Sequence, residues 1–154
     1  MKKLLSLILA IAMIFTLSCA KAKEMPGDTM TPEEIIEKLY EGAEELPMGL
    51  MNMPLDADNF EFFLFIPYIE GAEGVASEPG ISSIAHSAVV LRLPEDADAE
   101  AVAEEIEKNA NPVKWLCVEA EQTKVVLHGR TILLVMSNSA LADLVVSNFD
   151  ALWK

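Results

Sequence analysis

Lys124-Val-Val-Leu-His-Gly-Arg-Thr-Ile-Leu-Leu-Val-Met136 decides the fold class. Two runs rich in branched aliphatic residues, Lys124 to Leu127 and Thr131 to Met136, flank His128-Gly129, where glycine tolerates a positive φ. That is the pattern of a β-hairpin. Ser137 to Ser139 follow and can cap a helix whose Leu141, Leu144, Val145, Phe149 and Leu152 form one apolar stripe. A hairpin feeding an amphipathic helix points to a sheet with helices packed on it.

Reading outward toward the N-terminus, Glu95, Asp96, Asp98 and Glu100 crowd the start of a helix, where negative charge meets the positive end of the backbone dipole. Val102, Ile106 and Ala110 lie on its buried stripe, and Asn111-Pro112 stops it. Ile84 to Leu93, closed by Pro94, predicts a strand. Phe60 to Ile69 predicts another, because its aromatics favour strand over helix and Pro67 suits a strand end or sheet edge. Glu70 to Ser83 carries Gly71, Gly74, Pro79 and Gly80 and reads as a long exposed loop, and Met48 to Asn59 reads as irregular. Thr31 as N-cap, Pro32 at the first helical position and Glu34 three after the cap form a capping box. Ile35, Leu39, Ala43 and Leu46 continue that helix to a stop near Pro47.

The expected order is α-β-β-α-β-β-α. It describes one α+β domain over residues 31–154, a four-stranded, mainly antiparallel sheet with helices on one face. The expected core is Ile35, Leu39, Phe63, Phe65, Val90, Val102, Ile106, Val126, Leu134, Leu144, Val145 and Phe149.

Ahead of the domain, Lys2 and Lys3 precede an apolar run from Leu4 to Phe15 that ends in Thr16-Leu17-Ser18-Cys19-Ala20, the layout of a bacterial export signal over residues 1–22. Cleavage before Cys19 would place a lipid on its thiol and tether the protein to the outer face of the cell membrane. Cleavage after Ala20-Lys21-Ala22 would release a soluble secreted protein. An uncleaved membrane helix is the third reading, and the run is short of the roughly 20 residues a span needs. Lys21 to Met30, broken by Pro26 and Gly27, reads as a spacer, residues 23–30 after the leader.

About 130 residues then remain, enough for one cored domain. The chain carries a net charge of −14; without Lys2 and Lys3, nine basic residues face 25 acidic ones, a net of −16. Such a surface repels phosphate backbones, so nucleic acid is excluded as a partner. With Cys19 lipidated or removed, Cys117 is left alone, and one thiol forms no internal disulfide.

Met48, Met51 and Met53 offer soft thioethers for Cu(I), although methionine also fills core gaps where a helix meets a loop. Asp56-Ala57-Asp58-Asn59 opens like a calcium loop but lacks the required glycine, and Pro67 stands where the bidentate glutamate belongs, so a turn is expected. Glu95 to Glu100 is explained by helix capping. His86, with Ser82, Ser83 and Ser87 nearby, invites a nucleophile and base reading, but His86 and Ser87 point to opposite faces of a strand. His128 belongs to a tight turn, and Cys117 is expected as a small buried hydrophobe. No catalytic residue and no cofactor is assigned.

From Ser83 onward, Ile84-Ala85-His86-Ser87-Ala88-Val89-Val90, the acidic helix start at Asp96 to Glu100, Trp115-Leu116-Cys117-Val118-Glu119 and the hairpin Val125 to Ser137 together resemble a domain-of-unknown-function family of small lipoproteins from clostridia-like Gram-positive bacteria. Members of that family usually carry an acidic residue where Ser87 stands, and a tyrosine followed by proline where Trp115 and Cys117 stand. The resemblance implies a lipid-anchored outer-surface location and supplies no activity. The expected function is a membrane-tethered, non-enzymatic module that binds a protein or cell-envelope ligand. A small extracytoplasmic hydrolase or metal-dependent enzyme and a methionine-based copper carrier stand as alternatives. The segments Met48 to Asn59 and Glu70 to Ser83 are the expected binding surfaces.

Overall fold

The computed structural model describes residues 24–115 and 117–154. The expected export signal over residues 1–22, with Cys19 and both expected cleavage points, lies outside the described residues. In chain order the elements are α1 (Pro26–Thr29), α2 (Pro32–Leu39), β1 (Leu50–Pro54), α3 (Phe60–Leu64), β2 (Glu73–Pro79), β3 (Ser87–Arg92), α4 (Ala99–Asn109), β4 (Gln122–His128), β5 (Thr131–Ser137) and α5 (Ser139–Ala151). Among the described residues the domain is α+β, with five helices and one sheet of five strands in the order β1-β2-β3-β5-β4. Every neighbouring pair is antiparallel. Among the described residues no helix is long and apolar enough to cross a membrane.

Helices cover both faces of this sheet, which corrects the expectation of one. The reason is written in β5, where Ile132 to Met136 are all apolar and all fully buried, and in β3, where Ala88 to Leu91 are the same. Strands buried on both sides need two covers. Ala76, Val89, Leu91, Ile132, Leu134 and Met136 pack under Phe60, Phe63 and Leu64 of α3, Ile106 of α4 and Trp115. The alternate residues Val75, Ala88, Val90, Leu133 and Val135 pack under Ile35, Ile36 and Leu39 of α2 and Leu141, Ala142, Val145 and Phe149 of α5. Of the expected core, Phe65, Val102, Val126 and Leu144 are only half-buried.

Three further expectations are corrected. Phe60 to Ile69 is not a strand, because Phe60, Phe63 and Leu64 recur at helical spacing and the preceding turn starts a helix. Asp56 Oδ1 accepts from the amides of Asp58 (2.9 Å) and Asn59 (3.1 Å), Asn59 Oδ1 accepts from the Asp56 amide (2.9 Å), and the Asp56 carbonyl accepts from the Phe60 amide (3.0 Å). Glu70 to Ser83 is not an exposed loop, since it contains β2. Gly74 reads as a breaker but is required for close packing: a Cβ there would lie 2.8 Å from the Val90 carbonyl oxygen and from Leu55. Met48 to Asn59 contains the edge strand β1, which ends at Pro54, where no further ladder donor is needed.

Two helix ends and the main hairpin follow the local chemistry of the sequence. Thr31 Oγ1 accepts from the Glu34 amide at 3.3 Å while Glu34 Oε2 accepts from the Thr31 amide at 2.8 Å, and Pro32 fills the first position. This helix ends at Leu39, well before Pro47. Asp98 caps α4 through the Ala101 amide at 3.1 Å. In the β4–β5 hairpin His128 pairs with Thr131, so the two-residue turn is Gly129-Arg130 and not the expected His128-Gly129; His128 ends β4, and Gly129 takes the positive φ, 57°. Residues 25–30, read from sequence as part of a spacer, are docked on the domain. Arg92 donates to the carbonyls of Gly27 (2.7 Å) and Asp28 (3.0 Å), Trp153 Nε1 donates to Asp28 Oδ1 at 2.8 Å, and the Gly27 amide donates to the Leu152 carbonyl at 3.0 Å.

Candidate functional site

One end of the sheet is polar on both faces, and β2 links the two. Ser77 and Glu78 are successive residues of that strand and therefore point to opposite sides.

On the α2/α5 face, three side chains form a relay. Tyr40, just past the end of α2, meets His86 Nε2 through its hydroxyl at 2.8 Å, and His86 Nδ1 meets Ser137 Oγ, at the end of β5, at 2.9 Å. His86 is 1% exposed and Ser137 fully buried. Burial disfavours the imidazolium and pushes the His86 pKa down to about 4, so the ring is neutral near pH 7. Burial also pushes the Tyr40 phenol up to about 12. The Ser77 hydroxyl lies close enough to temper that rise but makes no hydrogen bond of good geometry. Ser137 stands where a hydrolase would need its nucleophile beside a base. No substrate reaches a fully buried hydroxyl, however, and an imidazole titrating near 4 is a weak base at neutral pH. The relay ties the end of α2 to the ends of β3 and β5.

Of the serines near His86 in sequence, Ser82 and Ser83 are exposed, and Ser87 points to the other face, its Oγ buried without a partner. The true partners, Tyr40 and Ser137, lie 46 and 51 residues away. Beside the relay, Gly42 to Glu45 and the first turns of α5 enclose an open groove of about 390 Å³. Glu44 and Glu45 make its wall acidic, and Asn148 Nδ2 pins the approach to that loop by donating to the carbonyls of Leu39 and Glu41, each at 2.9 Å.

On the α3/α4 face the centre is an ion pair between Glu78 and Lys114. Their side chains are 10% and 6% exposed, respectively. The Lys114 ammonium lies 4.6 Å from the ring centre of Phe62, 5.1 Å from Phe63, 5.7 Å from Phe65 and 5.4 Å from Trp115. Cation and ring quadrupole attract at such distances. Burial lowers the Lys114 pKa, and the Glu78 charge opposes that shift. Around this centre stand exposed apolar side chains: Met51, which pairs across β1–β2 with Glu78, together with Phe62 and Val113. No local sequence pattern marks Lys114. The available signal was the aromatic run Phe60 to Phe65, which the strand reading placed in a sheet.

The remaining sequence candidates separate. Met48 is 78% exposed and Met51 50% exposed, while Met53 packs into the core. Cys117, expected buried, is exposed beside a shallow depression lined by Val113, Trp115, Val118 and Glu119. His128 Nε2 contacts Asp150 Oδ1 at 2.8 Å and its ring stacks on Trp153 with centroids 4.9 Å apart. Among the described residues no group of three or more His, Cys, Asp or Glu side chains is placed to hold a metal ion. Comparison of the chain with protein-family models, curated proteins and solved structures finds no match.

Proposed function

We propose that this chain is an exported, membrane-tethered, non-enzymatic binding module that recognises a protein or other cell-envelope component through the face bearing Met51, Phe62 and Val113. The observation that carries this reading is the coincidence of those side chains, 50%, 60% and 53% exposed, with the outer edge of β1, which pairs with no further strand among the described residues. Exposed apolar groups gathered at one place mark interaction surfaces, and an uncovered strand edge accepts an extended partner chain. The tether rests on the leader, with Cys19 as the lipid-bearing residue. The resemblance of residues 83–154 to small Gram-positive lipoproteins supports the same address.

Affinity isolation from cell envelopes tests the binding face. The unaltered protein captures a discrete component, and Phe62→Ser and Met51→Lys each abolish the capture. Capture that survives both substitutions contradicts the proposal. A hydrolase is the second reading, favoured by the 2.9 Å contact between His86 and Ser137. It ranks behind because that contact is sealed.

A further inference from the structure

From the Glu78, Phe62, Phe63, Phe65 and Trp115 cluster we infer that the α3/α4 face holds a binding site for a primary alkylammonium group, and that Lys114 is its built-in occupant. The inference deepens the binding-face reading above and rests on it.

The chemistry of the cluster is that of cation recognition. Four aromatic rings lie within 6 Å of one ammonium, and a carboxylate accepts its hydrogen bond. Replacing a buried ion pair with apolar residues of similar volume is often neutral or stabilising, so packing alone does not call for charges here. Two independent features mark the place as specialised. Phe65 is the one non-glycine residue at positive φ (60°) among the described residues, and that left-handed backbone aims a cage ring. The register Ser77 opposite Ala88 also sets Ser87 beside Glu78, and Ser87 Oγ is fully buried with no hydrogen-bond partner.

Access and charge both favour exchange of the occupant. Lys114 reaches the cage on a four-carbon stem, and the cage borders solvent at Phe62, 60% exposed, and at Val113, 53% exposed. The chain's net charge of −14 concentrates cations at its surface. An incoming ammonium on a free amine or on a lysine side chain would reproduce the contacts that Lys114 makes.

The test is Lys114→Ala, titrated with cadaverine and with the peptide acetyl-Ala-Lys-Ala-amide and followed by proton NMR. Ring currents should shift the ligand methylenes upfield, and both probes should bind at least about tenfold tighter than to the unaltered protein, whose own lysine competes. Adding Phe62→Ala should weaken that binding about tenfold. A tighter peptide assigns the site to a partner's lysine, and equal binding assigns it to a free amine. If Lys114→Ala does not fold alone, refolding it in about 20 mM cadaverine, which returns an ammonium to Glu78, carries the same test, and failure to recover the fold there overturns the inference. A folded variant with no saturable binding up to about 20 mM overturns the inference, as does a preference for tetramethylammonium over cadaverine. Either failure leaves the envelope-capture result standing, so the two readings fall separately.

Discussion

At the scale of single residues, the buried His86 at the polar end of the sheet makes stability depend on pH. His86 folds in its neutral form with a pKa near 4, against 6.5 for the free side chain. The unfolded chain therefore binds more protons between those values. Stability from this group is full above pH 6.5 and falls away as the pH drops toward 4, with nothing further lost below. The loss amounts to about 3 kcal/mol. Urea unfolding at pH 7 and pH 4.5 checks it: the unaltered protein should lose more stability on acidification than His86→Asn.

Glu78 and Lys114 behave as a pair. Glu78→Ala leaves a buried ammonium without its counter-ion and should cost about 3 to 5 kcal/mol, whereas Glu78→Leu with Lys114→Met should be neutral or stabilising by a few kcal/mol. Denaturant midpoints of the two variants settle the matter. A single substitution as mild as the double one would show that water already solvates the lysine.

At the scale of elements, what was legible in the sequence is what local chemistry dictates. The capping box at Thr31 and Glu34, the Asp98 cap of α4 and the glycine turn of the β4–β5 hairpin each need only near neighbours, and each is present. What was missed depends on distant contacts. β2 was hidden because Gly74 and Pro79 look like punctuation, and only the approach of Val90 explains the glycine. Gly74→Ala should therefore cost about 1 to 3 kcal/mol, far more than a surface glycine substitution, in an equilibrium unfolding experiment. The aromatic run from Phe60 fitted either period, and the reciprocal Asp56 and Asn59 bonds decided for helix. α1 was hidden for the same reason as β2. A Cβ on Gly27 would lie 2.4 Å from the Trp153 ring, so Gly27→Ala should undock the segment and speed hydrogen exchange of the Gly27 amide, leaving the β5 amides protected.

The candidate site was legible only in part. His86 stood out as one of two histidines, yet its partners come from the end of α2 and the end of β5, which no local pattern connects. The expected strand from Ile84 set His86 and Ser87 on opposite faces, but β3 begins only at Ser87, and His86 stands just ahead of it. Lys114 gave no signal, because a lysine between Val113 and Trp115 reads as an ordinary surface residue until β2 supplies Glu78 and α3 supplies the rings.

At the scale of the whole molecule, the sheet is covered on both faces, and the exposed apolar side chains of the proposed face gather around one end of β1. α5 presents a contrasting surface, where Asp143 pairs with Lys124 in the open. A partner that docks on the proposed face should leave that surface untouched. The most direct test is photocrosslinking in the cell envelope from a photoreactive residue at position 62, with position 143 as control. A discrete adduct is expected from position 62 and none from position 143. No adduct from position 62, or the same adducts from both positions, would contradict the proposed binding face.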